Sequence, residues 1–375
     1  MKTKICGITN LVDALVAVQS GADMLGFNFY PQSPRSIQPS DCARLCAELE
    51  QLAPQVTRVG VFVNVPPEKI VEILENCRLH LAQLSGDEPL TDLARLKGRA
   101  FKAVRLSGEP KTGLQTGMDF VPEIFREYAD ARDGKAPALL IDGAVKGAYG
   151  GTGITADWQA AASLARQIPI LLAGGLTPDN VAGAVRQVLP WGVDVASGVE
   201  ISPGKNDAEK VRQFIQNARS AFQTAIQIAP ASREDLSEIL ALQRLAYHSE
   251  AELNNDFNIP PLTQTLPELE NEYNNKVVLK ARVDKNIVGS VRGGLQDSTC
   301  HIGRVIVHPN WQNCGIGSRL MEAIEARFAD AKRYELFTSE RSSRNLYLYQ
   351  KLGYCIIRQE RLDEHVNLVY LEKKA

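Results

Sequence analysis

The sequence predicts an α/β protein in two parts, a (β/α)8 TIM barrel followed by an α+β module. Three observations carry that expectation. Residues 1–222 alternate eight short apolar stretches with amphipathic helical patterns, and eight βα units in about 220 residues fit a small closed barrel better than an open doubly wound sheet. No G-x-G-x-x-G follows the first apolar stretch, which speaks against a dinucleotide fold. Around Gln223–Ala229 the pattern changes, and residues 223–375 form a second domain that leads with an antiparallel run.

The first strand, residues 2–6, is broken by Gly7, and Thr9 or Asn10 caps a helix whose apolar positions Leu11, Ala14, Leu15 and Val18 recur at helical spacing. The remaining barrel strands are expected at 23–29, 57–63, 79–84, 100–106, 138–142, 169–173 and 192–196. Helices are expected at 10–20, 39–52, 67–77, 89–97, 119–131, 155–167, 178–188 and 206–222, with long loops at 30–38 and 143–154. The second domain opens with a strand at 225–228 closed by Pro230, then a helix at 233–248 and a polar stretch at 254–267. Strands at 276–283, 286–295 and 300–308 follow, with Asp284-Lys285 as a hairpin turn. A helix at 316–330, a strand at 334–339, a helix at 342–351 and two closing strands complete it.

Composition bounds the function. With 375 residues, 44% hydrophobic and 23% charged, the chain can bury full cores. A net charge of −2 gives no general attraction to nucleic acid or anionic membrane, so neither is expected as a partner. No apolar run reaches the roughly 20 residues of a membrane span, and no apolar leader follows Met1. Seven scattered cysteines lack zinc-ligand pairing, and Cys42 and Cys46, one helical turn apart, read as core packing. The expectation is a cytoplasmic protein with reduced thiols and no metal site. Nothing in the sequence sets an oligomeric state.

The barrel's chemistry gathers at the carboxyl ends of its strands, where such folds place their sites. Cys6 ends strand one, and Lys4 lies on the same face one layer deeper, positioned to favour the thiolate. Asp142 ends strand six, across the barrel, and a thiol and a carboxyl facing each other over a sugar suit paired base and acid work. Three glycine-rich turns follow strands six, seven and eight: Gly150-Gly151-Thr152-Gly153, Ala173-Gly174-Gly175-Leu176 and Ser197-Gly198-Val199-Glu200. Such turns let backbone N–H groups approach an anion, and a helix beginning at Thr177-Pro178 adds its dipole. A phosphorylated substrate is the reading these turns favour.

The segments KICGIT, GFNFYPQSPRSI, VGVFVN, LAQLSGDE, LLIDG, GAYGGTG, LLAGGLTPDNV and VDVASGVEISPGKND occur in an order and spacing that resemble the phosphoribosylanthranilate isomerases, over residues 1 to about 219. The resemblance implies an Amadori rearrangement of N-(5-phosphoribosyl)anthranilate to the 1-deoxyribulose 5-phosphate, with no metal or cofactor. It implies Asp142 as the general acid that opens the ribose ring and Cys6 as the general base at C2. It further implies Arg35 at the anthranilate carboxylate or developing charge and Asp194 supporting the substrate, while the glycine turns place Gly151, Gly174, Gly175, Ser197 and Gly198 around the phosphate. Two departures stand out: Ser85 replaces a usual histidine, and Ala196 a usual serine. A related sugar-phosphate isomerase of histidine biosynthesis fits less well, because it uses paired aspartates and strand one here ends in Cys6.

In the second domain, Gln312-Asn313-Cys314-Gly315-Ile316-Gly317 sits between a strand and an amphipathic helix, a place where backbone N–H groups can cradle a pyrophosphate. With VIVHPNWQNCGIGSRLMEAIE around it and Asn345 to Tyr354 after it, this run resembles the GNAT family of acetyl-CoA-dependent N-acetyltransferases, over about residues 226–372. The resemblance implies backbone contacts from Ile306 and Val307 to pantetheine, residues 312–317 at the pyrophosphate, Asn345 beside the CoA arm and Tyr349 as the acid for the thiolate. Cys314 departs from a commonly basic position. One of Tyr347 and Tyr349 is expected to pack inside, and the base for the amine stays open between His308, Glu335, Glu340 and a water relay. The acceptor is not read from the sequence. A bifunctional isomerase and acetyltransferase is the leading reading; the other makes the second domain a non-catalytic acetyl-CoA sensor.

Overall fold

The computed structural model describes residues 1–106, 123–130, 136–143, 156–361 and 367–375. The chain folds as two compact units, Met1–Thr224 and Ala225–Ala375.

The first unit is a closed barrel of eight parallel strands in sequence order. They are β1 (Lys2–Cys6), β2 (Met24–Asn28), β3 (Thr57–Phe62), β4 (Leu81–Leu84), β5 (Ala100–Leu106), β6 (Leu139–Gly143), β7 (Ile170–Leu172) and β8 (Gly192–Val195). Around them run α1 (Leu11–Gln19), α2 (Pro39–Leu52), α3 (Pro67–Asn76), α4 (Leu90–Arg95), α5 (Glu123–Asp130), α6 (Trp158–Ala165), α7 (Val181–Val188) and α8 (Ala208–Ala225). β1 closes the ring by pairing with both β2 and β8, Cys6 opposite Gly26 and Lys4 opposite Asp194. Local chemistry explains the boundaries. Asn10 caps α1 by accepting the Asp13 N–H at 2.9 Å, Asp157 caps α6, and Pro39 and Pro67 start α2 and α3, where a missing N–H costs nothing.

Two differences from the sequence reading bear on the site. α7 starts at Val181 instead of at Thr177-Pro178. Those residues form a turn held by Asn180, whose side chain accepts the Thr177 N–H at 2.8 Å and donates to the Gly175 carbonyl at 2.9 Å. After β8, Ser197–Val199 form a 3-10 turn and a small hairpin follows, β9 (Glu200–Ser202) with β10 (Lys205–Asn206), which the periodicity did not show.

The second unit is a seven-stranded mixed sheet with helices. Its elements are β11 (Ile226–Pro230), α9 (Leu236–Asn254), α10 (Pro260–Thr263), α11 (Leu266–Asn275), β12 (Val277–Val283), β13 (Asn286–Gln296), β14 (Thr299–Val307), α12 (Ile316–Arg327), β15 (Arg333–Ser339), α13 (Ser343–Lys351), β16 (Cys355–Arg361) and β17 (Asn367–Lys374). The strand order is β11-β12-β13-β14-β15-β17-β16. α8 runs to Ala225, where a strand was expected to begin, and the polar stretch 254–267 contains α10. α11 was missed although Thr265 and Glu268 form a reciprocal capping box at its start. A core of Leu236, Ile239, Leu242, Leu269, Val278 and Ile306 joins α9 and α11 to the sheet.

Among the described residues, no helix is long and apolar enough to cross a membrane, and no group of three or more His, Cys, Asp or Glu side chains is placed to hold a metal ion. None of the seven cysteines is joined in a disulfide; Cys42 and Cys46 touch at 3.8 Å inside α2, as core packing.

Candidate active site

Two adjoining cavities lie at the carboxyl ends of the barrel strands, and Asp142, Asp194 and Ala196 line both. The first is closed by the glycine turns, Gly174, Gly175, Ser197 and Gly198. The second holds Cys6, Arg35, Gln83, Ser85 and Arg105. The structure therefore brings the expected thiol, carboxylates and cation around one space, with the glycine turns beside it. Gly151 lies outside the described residues.

The base of the site is a buried ion pair. Lys4 Nζ donates to Asp194 Oδ1 at 2.9 Å, with the lysine side chain fully buried and the aspartate 9% exposed. Register puts the two residues opposite each other on neighbouring strands. Gly26 makes room for them: a Cβ there would stand 2.7 Å from Cys6 Sγ and 3.1 Å from Lys4 Nζ.

Burial dominates the titrations. It pushes the Cys6 thiol above its ordinary value, with Asp194 adding to the rise, and the pull of Lys4 in the other direction does not overcome it. Lys4 does favour the thiolate, as its place below Cys6 suggests, but its pull is smaller than the effect of burial. Asp142 is likewise raised, first by burial and then by Asp194, although the Gly143 N–H at 2.8 Å, Arg105 and Lys4 favour its charged form. A carboxyl held protonated longer than usual suits proton donation.

Arg35 forks onto Glu200 through Nε at 2.8 Å and Nη2 at 2.7 Å, and this mostly buried pair fixes the β2–α2 loop against the β9 hairpin. Gly7, with φ +84°, lets the Arg35 stem pass, since a Cβ there would meet its Cδ at 2.7 Å. In the glycine turns, a Cβ on Gly174 would lie 2.4 Å from the Gly143 nitrogen, and one on Gly198 1.9 Å from the Leu176 carbonyl oxygen. Both turns are packed to the backbone.

In the second unit, β14 pairs with β15 only over Thr299–His301. Ile306 and Val307 lie beyond that stretch, paired on the other side with β13. Gln312 donates from its amide to the Val307 carbonyl at 3.2 Å and accepts from Arg344 on α13. Asn313 and Gly315 adopt positive φ of 61° and 84°, and Gly315 is the residue before α12, whose first N–H groups have no partner within the helix. Gly317, on that first turn, packs 3.3 Å from Leu348 and 3.9 Å from Val307, measured from the position of a Cβ. The strand end, the 312–317 turn and α13 thus meet. Cys314 is turned inward, 6% exposed, so this turn presents backbone. Asn345 donates to Thr338 Oγ1 at 3.2 Å. Tyr349 is the inward tyrosine at 5% exposed, against 68% for Tyr347, and burial beside Tyr247 and Glu250 keeps its phenol protonated. His308 is pushed down by burial, and its Nδ1 accepts the Asn310 N–H at 3.2 Å.

Residues 3–217 match the family model for N-(5'phosphoribosyl)anthranilate (PRA) isomerase. The chain belongs to the PRA isomerase family. It is accordingly an isomerase of tryptophan biosynthesis. The PRA isomerase of Trichlorobacter lovleyi is 45% identical over 223 residues, which cover 59% of this chain and 100% of that one. The crystal structure of phosphoribosyl anthranilate isomerase from Thermotoga maritima aligns with TM-score 0.49 and 39% identity, over 59% of this chain and 99% of that one. Residues 240–354 match the model for the acetyltransferase (GNAT) family. An N-acetyltransferase from Thermoplasma acidophilum, solved with coenzyme A, aligns with TM-score 0.35 and 18% identity over 40% of this chain and 99% of that one.

Several residues that line the PRA isomerase cavity or brace its walls escaped the sequence reading. Glu200 lies 165 positions from Arg35, and only the closed barrel pairs them. Arg105 faces Asp142 across the β5–β6 register and donates to the Ser85 carbonyl at 3.3 Å. Strand alternation could have found it: Ala103 and Arg105 share a face. Glu88 is buried and bonds Lys102 at 2.7 Å, the Asn64 N–H at 2.7 Å and the Gly86 N–H at 2.9 Å, fixing the loop that carries Ser85.

Proposed function

We propose that the first unit converts N-(5'-phosphoribosyl)anthranilate to 1-(2-carboxyphenylamino)-1-deoxyribulose 5-phosphate, with Asp142 as general acid and Cys6 as general base. The observation that carries this reading is the shared wall: Asp142 and Asp194 line both cavities, so a substrate with its phosphate among the glycine turns lays its ribose between Asp142 and Cys6. Asp142 gives its proton to the ring oxygen as the C1–O bond breaks, and the nitrogen lone pair forms the C1=N bond of an iminium. The Cys6 thiolate then takes the C2 proton; the C–H electron pair becomes C1=C2, and the iminium pair returns to nitrogen. Ketonisation of this enol loses the hydroxyl proton and gains one at C1, completing an isomerisation without net redox change. The Gly174, Gly175, Ser197 and Gly198 backbone cradles the phosphate, with Gly151 proposed on the same loop set. Arg35 contributes its charge to the carboxylate end while Glu200 holds it in place. Because Cys6 rests as a thiol, its deprotonation precedes each turnover.

For the second unit we propose acetyl-CoA binding and transfer to an amine. The turn 312–317, namely Gln312, Asn313, Cys314, Gly315, Ile316 and Gly317, binds the pyrophosphate through backbone. Ile306 and Val307 line the pantetheine path, Asn345 lies beside it, and Tyr349, protonated in its buried setting, supplies the proton to the leaving thiolate. The protein works in the cytoplasm, where both small molecules are available.

The experiment is direct. The purified full chain, given N-(5'-phosphoribosyl)anthranilate, is expected to consume it with inorganic phosphate as competitor; no turnover would overturn the reading. Acetyl-CoA with a panel of amines and polyamines is expected to release CoA. Binding without release across the panel favours a sensor.

A further inference from the structure

Gln83 lies on β4 and lines the cavity that holds Cys6, though only 6% of its surface is exposed. Its amide Nε2 donates to Ser85 Oγ at 3.1 Å. Its carbonyl Oε1 has no partner, and among the described residues it is the only buried side-chain oxygen in that state. Buried acceptors are nearly always paired, and exceptions concentrate where a ligand or a reaction supplies the donor. The cavity wall around it makes this a matter of chemistry instead of packing.

We propose that Gln83 is a further catalytic residue of the isomerase, its Oε1 accepting the N–H of the substrate's anilino nitrogen as that nitrogen becomes cationic. The inference rests on the isomerase reading given above. With the phosphate among the glycine turns and the ribose over Asp142 and Asp194, the sugar's C1 and its nitrogen fall into the second cavity, where Gln83 stands. When the Asp142 proton passes to the ring oxygen and the C1–O pair leaves with it, nitrogen commits its lone pair to C1=N and its N–H carries positive charge. A hydrogen bond from a charged donor is stronger than one from the neutral amine of the ground state. An interaction that strengthens along the reaction lowers the barrier without tightening substrate binding to the same degree. Gln83 thus complements Asp142: one supplies the proton that opens the ring, the other stabilises the cation left behind. With Nε2 donating to Ser85 Oγ, Oε1 is the amide atom left to meet the nitrogen.

The test compares Gln83→Met, which keeps length and removes the acceptor, with Gln83→Glu, which keeps a carboxyl oxygen there, in the full chain. Gln83→Met is expected to lower kcat roughly 10- to 100-fold, the worth of one charge-assisted hydrogen bond, with KM changed less than about threefold. Inhibition by inorganic phosphate and the melting temperature should stay as in the wild type, and Gln83→Glu should recover at least about fivefold in kcat over Gln83→Met. A kcat within twofold of wild type in Gln83→Met overturns the inference while leaving the isomerase reading intact. So does a joint loss of kcat, phosphate inhibition and thermal stability that Gln83→Glu shares, which marks a structural role. Absence of turnover in the wild type overturns both.

Discussion

Replacing Lys4 by methionine separates the ion pair at the floor of the barrel from everything else. The two side chains meet at 2.9 Å with 0% and 9% exposure, so the variant leaves Asp194 buried without its cation. Breaking such a pair on one side costs about 3–5 kcal/mol. For a unit of this length, Met1–Thr224, each kcal/mol moves the melting temperature by about 2–4 °C, giving an expected fall of roughly 6–20 °C. Scanning calorimetry of the full chain, with residual isomerase activity identifying the barrel's transition, measures it. The double variant Lys4→Met with Asp194→Leu should regain most of the loss, because an apolar pair of similar volume removes the stranded charge. Lys4 also favours the charged forms of both Cys6 and Asp142. Its removal must therefore raise both titrations, so the pH–rate curve of the single variant shifts alkaline at both edges. A melting temperature within 2 °C of wild type, or edges that stay in place, would refute the account of this pair.

The wild-type pH profile follows from the same two groups. With Cys6 as the proposed base and Asp142 as the proposed acid, the active form has a thiolate and a protonated carboxyl, so kcat/KM should rise with pH up to the Asp142 titration and stay flat between the two. It should fall above the Cys6 titration, with the acid edge above the ordinary carboxyl value of 3.8 and the alkaline edge above the ordinary thiol value of 9.0. Steady-state rates across buffered pH check this; an acid edge below 3.8 or an alkaline edge below 9.0 contradicts it. Gly198→Ala drives a methyl to 1.9 Å from the Leu176 carbonyl oxygen and should raise KM and the phosphate inhibition constant together, by about tenfold, for a loss of about 1.4 kcal/mol in phosphate binding. Tyr349→Phe, assayed with the best amine of the panel, should cut acetyl transfer by about 10²-fold while acetyl-CoA affinity holds; equal transfer rates would assign the proton to another group.

Which parts of this were legible follows from the range of the forces involved. Local patterns announced the eight strands, the glycine turns and the thiol at the end of β1, because alternation and glycine placement act within a few residues. Asp142 was legible from its place at the end of β6, and the resemblance to PRA isomerases gave it a specific role and added Arg35. What stayed hidden depends on closure. Glu200 becomes the partner of Arg35 only when β8 returns to β1, and the neutral resting state of Cys6 reflects burial that no sequence window displays. The orphan oxygen of Gln83 is likewise a property of the folded cavity. The short α11 is a different case: Thr265 and Glu268 spell its capping box, and the polar composition around them concealed it.

The central claim is that Cys6 and Asp142 carry the isomerisation from opposite sides of one cavity. Steady-state conversion of N-(5'-phosphoribosyl)anthranilate by the full chain, compared with Cys6→Ser and Asp142→Asn, tests it most directly. Each variant is expected to lose about 10²-fold or more in kcat, the usual worth of a positioned acid or base, with phosphate inhibition unchanged. Near-wild-type kcat in either one would contradict the assignment.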